Sequence, residues 1–246
     1  MRILISNDDG IGAAGIRALC LAVSKDAQVT VVAPHQERSA SSHGISIHRP
    51  LRVEKMEVPG ASEAYKTSGT PVDCVKWALA VLHRERPFDL MLSGINAGAN
   101  LATDVLYSGT VAAAGEASLQ GLKSIAFSLV GPPFTFNDNV IKATYDMYQV
   151  LKDVDVPADT FLSVNLPPSP NARKYAWTTL GVRKYHDEFA SELDENGVQV
   201  YRYGGDIVDE RETKGTDVAA VRNGYISITP LRYRFTNEEY YKQIKQ

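Results

Sequence analysis

Residues 2–167 alternate between short apolar runs and stretches with helical spacing, and this alternation constrains the fold more than any other feature. The runs "RILIS" (2–6), "QVTVVAP" (28–34), "FDLMLSG" (88–94), "KSIAFS" (123–128) and "TFLSVNLP" (160–167) are continuously apolar at their centres. Strands of that kind are covered on both faces. Between them, residues 14–24 set Ile16, Leu19 and Val23 at spacings of three and four. Residues 72–84 line up Val72, Val75, Leu79 and Leu82 on one helical face, with "YKTSGTP" as the lead-in. "SGTVAAAGEASLQG" (108–121) reads as a capped helix ending at a glycine, and residues 138–152 as a further helix. "LRVEKMEV" alternates and predicts a half-exposed strand. Strands separated by helices of this length imply βαβ units and a mostly parallel sheet. In such sheets, sites lie outside the carboxyl ends of the strands, where the polar motifs of this chain fall.

The pattern changes after about residue 168, where "PPSP" marks a break. The β-like pieces "YAWTTLGV", "VQVYRYGG" and "GYISITPL" follow. "HDEFASELDENG" lies between the first two and reads as a charged loop with an Asn-Gly turn, so residues 186–206 are expected to project as a hairpin arm. The tail, 231–246, is expected to hold a short helix. At 246 residues the chain is long enough to bury a core without staples, so a single domain is expected over 1–246. Acids and bases are interspersed around a net charge of −3, which argues against a nucleic-acid surface. No apolar run approaches a membrane span, and no signal peptide is evident at the N-terminus. Cys20 and Cys74 sit in helix-like segments and read as buried thiols in a reducing compartment, so a cytoplasmic location is expected.

Four polar segments could carry chemistry. In "SNDDGIG" (6–12), Asp8 and Asp9 are adjacent in a turn, where both could converge on one cation; the plainer reading is an Asx turn. "SGINAGAN" (93–100) offers Asn96, a carboxamide oxygen suited to hard cations, in a glycine-rich loop. Ser108, Gly109 and Thr110 open an Ala-rich helix whose N-terminus could take an anion; simple capping is the plainer reading. "ERSASSHG" contributes Arg38, able to pair with a phosphate, and Ser39, a donor or ligand oxygen. His43 in the same loop is the histidine best placed for proton transfer, although most loop histidines are only solvated. Each segment is weak alone. Together they gather acids, a carboxamide, hydroxyls and a helix start on one rim, as a hard cation beside a phosphate requires. No P-loop, dinucleotide fingerprint or zinc spacing is present.

The blocks "ILISNDDG", "APHQERSASSHGISI", "TSGTPVDCV", "SGINAGANLATDVLYSGTVAAAGEA" and "GTDVAAVRNGYISITPL" occur in the order and spacing of the SurE (survival protein E) family, which the chain resembles over nearly its whole length. The resemblance implies a Rossmann-like three-layer α/β/α fold with a C-terminal hairpin arm, assembling as a homodimer or homotetramer, with the tail in the interface. It implies a phosphatase acting on nucleoside 5′-monophosphates, and also on 3′-monophosphates and polyphosphate. One divalent ion per subunit, Mg²⁺ or Mn²⁺, and no organic cofactor are implied. Asp8, Asp9, Ser39 and Asn96 match the family's metal ligands, and Ser108, Gly109 and Thr110 its phosphate-holding segment. Ala14 and Ala102 depart from the commoner Pro and Gly. A non-catalytic, metal-dependent nucleotide-binding regulator on the same fold is the alternative, separated by whether phosphate is released.

Overall fold

The computed structural model describes residues 1–211 and 213–245. The chain opens with β1 (Arg2–Ser6), α1 (Ala14–Val23) and β2 (Gln28–Pro34), then β3 (Val53–Met56) and β4 (Glu63–Thr67). Helix α2 (Pro71–Trp77) runs through a π-helical turn, Ala78–Leu82, into α3 (His83–Glu85). Next come β5 (Leu90–Ala97), α4 (Gly109–Leu119), β6 (Ser124–Leu129), α5 (Asp138–Leu151) and β7 (Phe161–Leu166). The C-terminal part holds β8 (Tyr175–Trp177), β9 (Val182–Leu193), β10 (Gln199–Arg211), α6 (Asp217–Arg222), β11 (Ile226–Leu231) and α7 (Glu238–Ile244).

The main sheet runs β3-β4-β2-β1-β5-β6-β7-β11-β8. The six strands from β4 to β7 pair in parallel; β3 and β11 pair antiparallel with their inner neighbours. Successive residues of β1 serve opposite faces, as the pleat requires. Ile3 and Ile5 join the core formed with α1 and α5, whereas Leu4 joins the one formed with α2 and α4. The α/β architecture with helices on both faces is as the sequence predicts. The chain builds outward from β1 to β2 and β4, then returns to place β5 on the other side of β1. That reversal opens a crevice between the carboxyl ends of β1 and β5.

Three local expectations are corrected. "EAYKT" forms β4, although it reads as the lead-in to a helix; its polar residues are tolerated because β4 lies near the sheet edge, with Tyr65 and Lys66 only half-buried. The helix expected over 72–84 is interrupted by the π-helical turn. Residues 186–193, expected as a charged loop, are strand, and the turn is confined to 194–198. A two-stranded ribbon exposed on both faces has no buried side, so its sequence carries no hydrophobic alternation. The hairpin of β9 and β10 extends over Val182–Arg211, wider than 186–206. Within the tail, Glu238–Ile244 is helical, and Gln246 lies outside the described residues.

The hairpin base is fastened to the loop after β5. Asp217, fully buried, accepts from the backbone N–H of Ala102 at 2.8 Å and of Gly181 at 2.7 Å. Asp104 accepts from Arg183 and from the Tyr185 hydroxyl. Ala102 holds φ +52, a left-handed conformation that favours glycine.

Candidate active site

Asn7 closes the turn after β1 by donating to the Gly10 carbonyl at 2.9 Å. Gly10 has φ +94, and a Cβ there would stand 3.0 Å from the Gln36 carbonyl carbon, so glycine admits the loop after β2 against this turn. Arg38 then donates its backbone N–H to the Asp8 carbonyl at 2.7 Å. The Arg38 guanidinium reaches away, to the Ser68 carbonyl at 3.0 Å. The turn is real, and it presents two carboxylates to the crevice.

Asp8 is buried against the start of α4. Its Oδ1 accepts from the Thr110 hydroxyl at 2.5 Å and its Oδ2 from the Thr110 N–H at 3.1 Å. A Cβ on Gly109 would lie 2.9 Å from Asp8 Cβ and 2.7 Å from Ser41 Oγ, so the helix start needs glycine there to come so close. The positive end of the helix dipole thus faces the Asp8 carboxylate. Burial still pushes the Asp8 carboxyl above its ordinary range, against the lowering effect of the Thr110 and Gly109 donors. Asp9 accepts from the Ala97 N–H through Oδ2, at 3.1 Å. Burial raises its pKa to about 6, partly offset by that bond and reinforced by the charges of Asp8 and Glu37.

Asn96 reaches the same crevice through an irregularity in β5. The register with β6 shifts between Ser93 and Asn96, and such bulges re-aim side chains. Its Nδ2 donates to the Gly98 carbonyl at 2.9 Å, which leaves Oδ1 as the available atom. The following loop is held by Asn100, whose N–H donates to Asn165 Oδ1 at 2.8 Å and whose Nδ2 donates to Ser128 Oγ at 2.8 Å. Ser108 caps α4, accepting from the Val111 N–H at 3.0 Å.

The loop carrying Ser39 and His43 is strained and tied down. Ala40 and Ser42 hold φ +54 and +49, each costing about 1–2 kcal/mol. Ser42 donates its N–H to the Tyr107 carbonyl at 3.0 Å and its hydroxyl to the Leu106 carbonyl at 2.7 Å. The Thr70 hydroxyl donates to the Gly44 carbonyl at 2.7 Å. Ser39 donates to Glu37 Oε1 at 2.5 Å. His43 turns its Nε2 to Glu116 Oε2, at 2.8 Å, and not toward the aspartates. Sequence reasoning missed Glu37, Ser41 and Glu116. A glutamate in a mixed-charge loop and a serine in a serine-rich one carry no signal. Glu116 could have been found as the single charged residue of an Ala-rich helix.

A hard cation fits this set. Asp8, Asp9, Ser39 and Asn96 offer only oxygen donors, suited to Mg²⁺ or Mn²⁺. The charges that bear most on Asp9 are the neighbouring carboxylates of Asp8 and Glu37. Among the described residues no three His, Cys, Asp or Glu side chains form a metal cluster, so an ion held by Asp8 and Asp9 would need a serine hydroxyl and a carboxamide beside them.

The family model "Survival protein SurE" matches residues 3–187. The chain belongs to the SurE family. A relative from Carboxydothermus hydrogenoformans, named "5'-nucleotidase SurE", is 43% identical, covering all of this chain and 95% of its own length. One of the same name from Gloeobacter violaceus is also 43% identical, over 97% of this chain and 92% of its own. The crystal structure of the SurE protein from Aquifex aeolicus superposes with a TM-score of 0.84 at 35% identity, covering all of this chain and 98% of that one. The Rossmann-like sheet with its C-terminal hairpin is therefore the SurE fold.

Proposed function

We propose that this SurE-family chain is a 5′-nucleotidase, a phosphoric monoester hydrolase that releases phosphate from nucleoside 5′-monophosphates with the help of one bound Mg²⁺ or Mn²⁺. The observation that carries the reading is the pair of adjacent, partly desolvated carboxylates at the β1/β5 crevice, with a carboxamide oxygen beside them. Asp8, Asp9, Ser39 and Asn96 would hold the ion. When bound, it would neutralise charge on the phosphoryl oxygens and acidify water.

The remaining work falls to the chain itself. Thr110 spends both donors on Asp8, so its part is to fix that carboxylate. The Ser108 hydroxyl accepts from Val111 and keeps its own hydrogen to donate toward the phosphoryl group. Gly109 keeps the approach to the helix start open. Both Asp8 oxygens are engaged, whereas Asp9 uses only Oδ2, so Asp9 Oδ1 is the atom suited to orient the attacking water and receive its proton.

The test is phosphate release from purified protein. Turnover of nucleoside 5′-monophosphates is expected with Mn²⁺ or Mg²⁺, to vanish in EDTA, and to return on adding the ion. Nucleotide binding with no phosphate release under any metal would overturn the reading. The same screen covers 3′-monophosphates and polyphosphate, both implied by the family resemblance.

The assembly is proposed to be a homodimer or homotetramer. Phe189, Leu193, Tyr201 and Tyr203 on the hairpin and Phe235 on the tail stand exposed, an apolar surface that suits burial against a second copy. Light scattering should give two or four times 26.9 kDa; a monomer would exclude it. A cytoplasmic location is supported by two free, buried cysteines, whose thiols burial pushes up to about 12. It would be checked by fractionation. No described helix is long and apolar enough to cross a membrane.

A further inference from the structure

Helix α4 is built from small, buried residues, and Glu116 is its one charged side chain. A buried carboxylate is costly unless its oxygens are matched by donors. Here Oε1 accepts from Lys76 Nζ at 2.9 Å and from Gln120 at 3.0 Å, and Oε2 faces His43 Nε2 at 2.8 Å. These donors outweigh desolvation and hold the Glu116 carboxyl down to about 2. His43 is packed as well as bonded. The Tyr233 ring meets it edge-on, with centroids 4.9 Å apart. Tyr233 can lie there only because residue 115 is glycine; a Cβ would stand 2.1 Å from its ring. Glu116 lies six residues beyond Thr110, about 9 Å along the helix axis. The imidazole Nε2 therefore meets α4 well beyond the turn that holds Asp8.

The segment between His43 and the aspartates is the one that needs holding. Ala40 and Ser42 are left-handed, and Ser41 Oγ is buried without a partner against the start of α4. A strained loop persists only where its surroundings over-determine it. We propose that His43 is a positioning residue, whose bond to Glu116 anchors the Ser39–Ser42 segment to the helix that also fixes Asp8. The inference rests on the metal-site reading above, and it gives His43 a role other than proton transfer.

The test compares His43→Ala with His43→Gln in the full-length protein. His43→Ala should weaken Mn²⁺ binding by calorimetry about tenfold, the usual scale for losing a group that orients a ligand. It should also speed amide exchange across residues 39–42 and lower kcat/KM. A glutamine can donate to Glu116 without carrying a titrating proton, so His43→Gln should restore Mn²⁺ affinity and loop protection to within about threefold. Wild-type Mn²⁺ affinity and loop exchange in His43→Ala would overturn the proposal. So would a His43→Gln enzyme that binds Mn²⁺ normally yet loses turnover and one limb of its pH profile, since His43 would then be a proton carrier. An Asp8→Asn protein that still binds Mn²⁺ and turns over would overturn the metal-site reading alone. Loop exchange in His43→Ala would still decide the anchor.

Discussion

Asp8→Asn is expected to lower kcat/KM for nucleoside 5′-monophosphates in Mn²⁺ by at least about 100-fold, the scale on which removing a preorganised electrostatic group acts. The carboxylate does two things at once. It supplies charge to the crevice, and it accepts both donors of Thr110, at 2.5 and 3.1 Å. An amide keeps the shape but loses the charge; with its oxygen on the Thr110 N–H, its NH₂ faces the Thr110 hydroxyl, which can turn to accept. Asp9→Asn should be comparably damaging, because it removes the oxygen assigned to the water. Neither loss would come from unfolding. Both carboxylates are desolvated and the Asp8 charge makes Asp9 costlier to ionise, so neutralising one removes a cost. In EDTA the variants should melt no lower than the wild type. Adding Mn²⁺ should raise the wild-type melting temperature and leave the variants unmoved, since only a ligand of the folded state stabilises it. Near-normal turnover in either variant would sink the metal-site assignment.

Much of this arrangement was legible before any coordinates. Strand and helix positions through residue 167 follow from apolar runs such as "VTVVAP" and from spacings such as Ile16–Leu19–Val23, because a two-sided parallel sheet demands them. The crevice could be anticipated, since the polar motifs follow the strands. The parts that could not be read depend on contacts between distant segments. β4 is strand because β2 and β3 pair with it, whatever "EAYKT" prefers by itself. Thr110 reads as a phosphate ligand or a cap, and only the approach of β1 to α4 commits both its donors to Asp8. His43 reads as a proton carrier or a solvated loop residue until Glu116, 73 positions later, is set opposite it. The arm reads as a charged loop because neither of its faces is buried within one chain.

Gly94→Ala is expected to damage the fold severely, and the reason lies under the site. Gly94 holds φ +118, and a Cβ there would stand 2.2 Å from the carbonyl oxygen of Phe127. That oxygen belongs to the backbone of β6, whose register on β5 is fixed on both sides of the irregularity, so the clash cannot be relieved by rotating a side chain. Left-handed strain and overpacking each cost about 1–3 kcal/mol, so a total of about 3 kcal/mol or more is expected. For a domain of this size that is a fall of roughly 6–12 °C in Tm. Gly12→Ala is the control, since a Cβ at 12 meets nothing within 4 Å and its φ is unexceptional; it should melt with the wild type. The effect should also reach function. The irregularity that needs Gly94 is what aims Asn96 into the crevice, so the folded fraction of Gly94→Ala should bind Mn²⁺ more weakly than Gly12→Ala. A Gly94→Ala protein within about 1 kcal/mol of wild type, well below the strain expected here, would mean that β5 reaches the site by a different path.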